Sequence, residues 1–565
     1  MPSEPLSVSI QQTFELALGH HRAGRLREAE QLYRQVLIHQ PDHVDGTLYL
    51  GILASQMRQH DAAIALFRRA ILLRPGLAQA HHNLGNALRD QGKLQEAFES
   101  YRRAIGLKPD FPEPYCNLGN ILLGNGQLQD AIDIFQAAIA IRPDSAEVLC
   151  NLGYALKEAG RFSDAIAACR QSIALSPFNP EAYTNLGSAL QANDQIEQAI
   201  AAHQQAIALR PSYAQAHNNL GSALTDAGEF DEALVQFSKA VQLRPDLPEA
   251  HHDLALALLS HGDFERGWEE YQWRWKCRSF STPSRIFAQP QWDGAPFRDR
   301  TLLLYAEQGL GDAIQFVRYL PMVAEQGGQI VLECPPLMGQ VFQSLVQTIK
   351  ADCAIVSQGD ALPRFDLHCP LLSLPLIFKT MLSTIPSRQP YLFPDPQRIN
   401  SWRKRLESSG RDLKVGLVWA GSPRFKRDRY RSLSLDRLAP LTDVPRVTFY
   451  SLQKGPAASQ AKFPPPGMKL IDWTDEFILF NNDALIASLD LIISVDTAVA
   501  HLAGALGRPT WVLLPFAADW RWMLHRTDSP WYPTMRLFRQ TTRCDWDSVV
   551  DRVAQALRLL AQNHH

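Results

Sequence analysis

Three stretches of this chain place acidic, basic and small residues where a polypeptide can meet an anionic ligand and a hydroxyl. The first, Glu307-Gln308-Gly309-Leu310-Gly311-Asp312, follows a short apolar run. Its glycines allow a tight turn and close backbone approach to a ligand. Asp312 can take a proton from a hydroxyl or cap the following helix. The second, Trp419-Ala420-Gly421-Ser422-Pro423, runs into Arg424, Lys426, Arg427, Arg429 and Arg431. Those cations either form a solvated charge run or neutralise a diphosphate. The third is Ser494-Val495-Asp496-Thr497-Ala498-Val499-Ala500-His501. There Asp496 or Thr497 can cap a helix whose free N–H groups favour phosphate, with His501 one turn in. A fourth stretch, Asp545-Trp546-Asp547, has the spacing of a metal-binding acidic pair. It precedes an amphipathic run, Val549 to Ala561, so it predicts an N-cap. Eight cysteines lie scattered without a CxxC pair, which argues against a zinc site or disulfide frame and for a reduced chain. No metal and no cofactor is expected.

The elements that must carry these residues are strands followed by helices. Thr301 to Tyr305 and Gln329 to Cys334 are short apolar strands, with a helical stretch from Ala313 to Gln326 between them. After a proline-rich segment, Pro386 to Pro396, a second series follows: Lys414 to Ala420, Val447 to Ser451, Leu491 to Val495 and Thr510 to Leu514. Strands alternating with helices predict parallel sheets covered on both faces. Two such halves create a cleft at the carboxyl ends of their strands, where ligands bind in folds of this kind. Residues 278–298, with three prolines, read as an ordered connector without a core of its own.

The first half has a different pattern. Gly51, Gly85, Gly119, Gly153, Gly187 and Gly221 recur every 34 residues, and prolines from Pro41 to Pro245 keep the same step. Leucines precede the glycines; Ala63, Ala97, Ala131, Ala165, Ala199 and Ala233 follow, mostly with a ring four residues on. A fixed period of this length means a repeat array. The pattern resembles the tetratricopeptide repeat, a helix-turn-helix unit, and gives about eight units over residues 10–277, the last a cap. The aromatic run Trp268 to Trp275 predicts a cap packed on the following domain, because exposed rings there would leave an apolar patch.

The three chemical stretches, in this order and ahead of Leu502 to Pro509, resemble the bacterial heptosyltransferases, glycosyltransferases of the two-Rossmann GT-B type. The chain differs in carrying Ala498 where that family usually has glycine. The resemblance implies an all-α tetratricopeptide superhelix followed by an α/β GT-B fold. An acceptor-side domain would cover residues 299–390 and a nucleotide-sugar domain residues 391–565. It implies Asp312 as catalytic base. It implies that Gly309, Gly311, Ser422, Lys426, Arg429, Arg431, Asp496, Thr497 and His501 hold the donor.

In the repeats, Asn83, Asn117, Asn151, Asn185 and Asn219 occupy one position of five consecutive units. They resemble the asparagine ladder of O-GlcNAc transferases, which implies a groove holding a protein acceptor; asparagine is also common at this position of the repeat generally. The implied activity is metal-independent, inverting transfer of a sugar from a nucleotide sugar to Ser or Thr hydroxyls of a bound protein, flagellin or another surface protein among the candidates. The alternatives are transfer to a saccharide or lipid-linked glycan, and a non-enzymatic adaptor with a relic transferase half.

Composition bounds the rest. A net charge of −2 gives no electrostatic case for nucleic acid or an anionic membrane as main partner. Met1 to Ala23 lacks the features of a secretion signal, and the longest apolar run, Pro370 to Phe378, is too short to span a bilayer. A soluble, cytoplasmic protein is expected.

Overall fold

The computed structural model describes residues 9–564 apart from 279, 281, 283–284, 408–409, 426 and 477–481. It divides into two compact units, Met1–Asn219 and Leu220–His565, and the division falls inside the helix Ala214–Ala227.

The first unit is all-helical, built from antiparallel pairs such as Ala78–Asp90 with Leu94–Leu107 and Pro112–Gly124 with Leu128–Ile141. The periodic residues make these pairs. At Gly119 a Cβ would lie 2.5 Å from the Phe135 ring, so only glycine lets the two helices cross this closely. Where the ring is replaced by Cys169, Gly153 stands against the sulfur instead. Each second helix ends two residues before its proline, as Leu73 does before Pro75, because proline has no N–H to continue the ladder. Ala97, Tyr101 and Ala104 are fully buried, and so are Ala131, Phe135 and Ala138.

The second unit carries the last repeat helices and two parallel sheets. The first sheet holds β1 (Thr301–Tyr305), β2 (Gln329–Cys334), β3 (Cys353–Ser357) and β4 (Leu367–Pro370) in the order β3-β2-β1-β4. The second holds β5 (Leu413–Val418), β6 (Val447–Ser451), β7 (Leu470–Asp472), β8 (Leu491–Val495), β9 (Thr510–Leu514) and β10 (Met535–Arg539) in the order β10-β9-β8-β5-β6-β7. Strand order reverses between β1 and β4, and again between β5 and β8. These reversals open the crevices in which α/β folds hold ligands.

Four strands escape the sequence reading. β3 is incompletely buried, β4 ends in Pro370, β7 has three residues, and β10 alternates with exposed Arg536. The helical stretch after β1 starts earlier than expected and is broken, with helices Leu310–Phe316 and Leu320–Ala324 separated by a 3-10 turn.

Both connecting segments pack on the unit. The connector contributes to the core: Trp292 and Phe297 are buried, and the Trp292 N–H donates to His368 O at 2.8 Å, beside β4. The proline-rich link is also packed. The Tyr391 N–H donates to Ala505 O at 3.0 Å, and its hydroxyl donates to Ile314 O at 2.9 Å. Large apolar side chains in both segments make them structural parts of the unit.

The aromatic cap docks as expected. Trp268 packs edge-on against Phe316, Trp520 and Trp531, and its indole N–H donates to Thr380 O at 3.2 Å. Beside it Arg274 and Glu307, both fully buried, form an ion pair at 2.7 Å. Glu307 also accepts from the Leu372 N–H, and Arg274 donates to Ser373 Oγ at 2.9 Å. Each charge is therefore satisfied where water is excluded.

Candidate functional site

The turns after β1 and β8 meet. The helix Leu310–Phe316 packs on the helix Ala498–Ala505, and the contact is closest at Gly311, where a Cβ would lie 2.8 Å from His501 Cδ2. Glycine at 311 thus serves close approach between two elements far apart in sequence.

Asp312 stands in the first turn of its helix. One carboxylate oxygen accepts the Gly309 N–H at 2.8 Å, closing the turn, and the other pairs with Arg521. The capping reading of this residue thus holds. Arg521 also donates to Asp519 at 2.8 Å and to Gln315 Oε1 at 2.6 Å. Burial opposes its charge, but Asp519 and Asp312 outweigh that and keep the guanidinium ionised. Burial pushes the Asp312 carboxyl up, against the pull of Arg521 and of the Gly309 N–H. Each Asp312 oxygen thus carries one hydrogen bond, and the Arg521 charge beside it favours the ionised carboxylate.

Asp496 ends the turn after β8 with its side chain 14% exposed. Burial first, then the charge of Asp519, lifts its carboxyl to about 6, while Arg431 and the Trp522 indole pull it down. Thr497 occupies the N-cap of its helix, but its hydroxyl lies 3.0 Å from Ser494 Oγ and does not cap. The N–H groups of the first turn are thus not taken up by a capping side chain.

His501 lies where the two helices meet. It is buried, stacks on Trp522 at 5.4 Å and keeps Nδ1 2.9 Å from Tyr532 Oη. Burial, followed by the charges of Arg521, Arg318 and Arg431, holds its pKa well below the ordinary value, so it is neutral. Its ring supports the two turns from beneath.

The basic loop divides. Arg431 turns inward, bonds Asp428 at 3.0 Å and is among the charges acting on Asp496. Arg429 is exposed, with its guanidinium over the Tyr430 ring. Ser422 is exposed, and its hydroxyl accepts the Arg424 N–H at 3.4 Å. Lys426 lies outside the described residues. The strand end is held by buried Gln453, whose Oε1 accepts the N–H groups of Trp419 and Ala420. Trp520 and Trp522 are buried and offer no open face for stacking.

Sequence reasoning missed Asp519, Arg521 and Gln315 as members of this cluster. The signal present was the Asp519-Trp520-Arg521-Trp522 run, in which a charge pair sits among rings. Asp545 does cap the last helix, accepting the Ser548 N–H at 3.1 Å.

In the repeats the asparagines bridge successive units. Asn117 donates to Asn86 at 3.0 Å, Asn151 to Asn120 at 3.1 Å, and Asn219 to Ser188 at 3.2 Å. Asn185, facing Tyr154 in place of a small polar residue, turns to Cys150 O at 3.3 Å. Asn83 Nδ2 is buried without a partner among the described residues. All five are half-buried. The amide donors of Asn117, Asn151, Asn185 and Asn219 thus link successive units, while the carbonyls of Asn117 and Asn219 accept from Arg89 at 3.1 Å and Gln215 at 2.9 Å.

Comparison with known proteins supports the repeat assignment. Residues 14–77, 116–180 and 168–201 match the tetratricopeptide repeat family, and residues 85–126, 192–226 and 221–262 match a further TPR repeat description. The N-terminal region is thus an array of tetratricopeptide repeats, a module that commonly binds peptide or protein partners. Protein FlbA of Caulobacter vibrioides is 31% identical over 314 residues, 52% of this chain and 52% of that protein. The chain thus spans about half the length of this curated relative. Among solved structures, the tetratricopeptide protein from Parabacteroides merdae aligns with 44% of this chain and 98% of its own, at 14% identity and a TM-score of 0.36. PilF of Pseudomonas aeruginosa aligns with 37% of this chain and 95% of its own, at 18% identity and a TM-score of 0.33. Among the described residues no helix is long and apolar enough to cross a membrane.

Proposed function

We propose that the second unit is a GT-B-type glycosyltransferase and that the repeats recruit its protein acceptor. The observation that carries this reading is the convergence of Asp312, Arg521, Asp519, Asp496 and Arg431 at the meeting of the β1 and β8 turns. Each turn lies at the strand reversal of its own sheet. The diphosphate of a nucleotide sugar would lie on the first turn of the helix Ala498–Ala505 and against Arg431.

Arg521, drawn to that diphosphate, would leave Asp312. The freed carboxylate would take the proton of a Ser or Thr hydroxyl as its oxygen bonds to the anomeric carbon. The bond from that carbon to phosphate oxygen breaks, and the nucleoside diphosphate leaves stabilised by Arg431, Arg521 and the helix N-terminus. His501 positions the turns without touching the reacting atoms.

The test is a thermal-shift titration with ADP, UDP, GDP, CMP and their sugars. A ligand at a hundredfold its dissociation constant stabilises the native state by about 2.7 kcal/mol. One nucleotide series should raise the transition, and Arg431→Ala should abolish the rise. No rise with any nucleotide would leave the adaptor reading, in which the repeats alone carry function.

A further inference from the structure

We propose that Gln308 is a specificity-determining residue whose carboxamide hydrogen-bonds the sugar of the donor. The assignment rests on the transferase reading of the same site.

Gln308 stands in the turn after β1 with φ at 61°. A residue with a side chain enters this left-handed region at a cost, whereas glycine enters it freely. Such strain persists where the surroundings over-determine it, and it gathers at ligand sites. Here the surroundings come from the repeat cap and the connector. The Gln308 N–H donates to Thr282 Oγ1 at 2.9 Å, and the Tyr271 hydroxyl donates to Gln308 Oε1 at 3.3 Å. Glu307, one residue back, is locked in the buried pair with Arg274. The turn is thus held from the array side in a conformation that glycine would hold at less cost. What the position gains from glutamine is its side chain.

That side chain lies beside the groups assigned to transfer. The N–H of the next residue, Gly309, is the one that Asp312 accepts. Burial keeps the Tyr271 hydroxyl protonated, and Arg521 and Asp312 are among the charges acting on it. Gln308 is half-buried, and its Nε2 is neither buried nor bonded to any described residue. With the diphosphate on the helix Ala498–Ala505, the group reaching across to the Asp312 turn is the sugar. Sugar hydroxyls both donate and accept, so they suit either end of a carboxamide.

The test is isothermal titration of the full-length protein with ADP, UDP and GDP, and with ADP-glucose, UDP-glucose, UDP-N-acetylglucosamine and GDP-mannose. Gln308→Gly keeps the left-handed backbone and removes the carboxamide. It should weaken the sugar nucleotide that the parent binds about fivefold, the weight of one neutral hydrogen bond. The matching nucleoside diphosphate should bind as before. Tyr271→Phe removes only the hydroxyl that aims the carboxamide. It should weaken the same sugar nucleotide by a smaller factor, and it serves if the first variant fails to fold.

An unchanged dissociation constant for the sugar nucleotide in both variants would overturn the assignment. So would equal weakening of the sugar nucleotide and its diphosphate, which marks a structural role. A parent that binds a diphosphate and none of the sugar nucleotides would overturn it as well. A parent that binds none of these nucleotides would refute the transferase reading itself, and the assignment with it.

Discussion

Replacing Asp496 with Asn should make the protein more stable at alkaline pH while removing its affinity for nucleotide. Burial and Asp519 raise the Asp496 carboxyl to about 6 in the folded protein, whereas an exposed aspartate ionises near 3.9. Between those values the folded state keeps a proton that the unfolded chain has released. Stability contributed by this group is therefore fully present below about pH 4 and is lost as pH rises through 6. Each pKa unit is worth about 1.4 kcal/mol, so above pH 7 the ionised carboxylate costs the fold about 3 kcal/mol. Asparagine has nearly the same shape and carries no charge to desolvate.

The measurement is urea unfolding of both proteins at pH 4.5 and pH 8, followed by tryptophan fluorescence. The variant should gain about 3 kcal/mol over the parent at pH 8, a midpoint shift of roughly 1 M or less for a protein of this size, and much less at pH 4.5. A gain independent of pH, or a loss at pH 8, would refute the electrostatic argument. A gain at pH 8 with nucleotide shifts intact would instead remove Asp496 from the donor site.

Removing one partner of the buried cap pair by Arg274→Met should cost about 3–5 kcal/mol. The double variant Arg274→Met/Glu307→Leu should recover much of that loss in a denaturation cycle. Gly311→Ala should cost about 1–3 kcal/mol, since its Cβ would press on His501, and should weaken any nucleotide-induced thermal shift. Asp312→Ala should abolish transfer and spare nucleotide binding; near-normal turnover would remove Asp312 as base. Asn151→Ala with Asn185→Ala should loosen the repeats by about 1 kcal/mol per hydrogen bond. Under the transferase reading it should also weaken the protein acceptor, with donor hydrolysis unchanged as the control.

Local rules made the repeat half legible. Gly119 must be glycine because Phe135 fills the crossing, and Pro75 must follow a helix end, so period alone reveals the array. The buried central strands β1, β2, β5, β6, β8 and β9 were legible for a related reason, since strands covered on both faces read as continuous apolar runs. Edge strands β3, β7 and β10, half-covered or very short, carry no such run. The sequence also put Asp312 and Asp496 at the ends of strands beside turns.

Their meeting was decided by tertiary structure alone. Arg521 is 209 residues from Asp312, and no local pattern reports which distant cation will neutralise a buried carboxylate. The same holds for His501, whose burial against Trp522 and Gly311 no local pattern reports. Periodicity records what a residue does for its own helix or strand. Ionisation and access depend on charges and surfaces brought close by folding, and those the chain acquires only once it is packed.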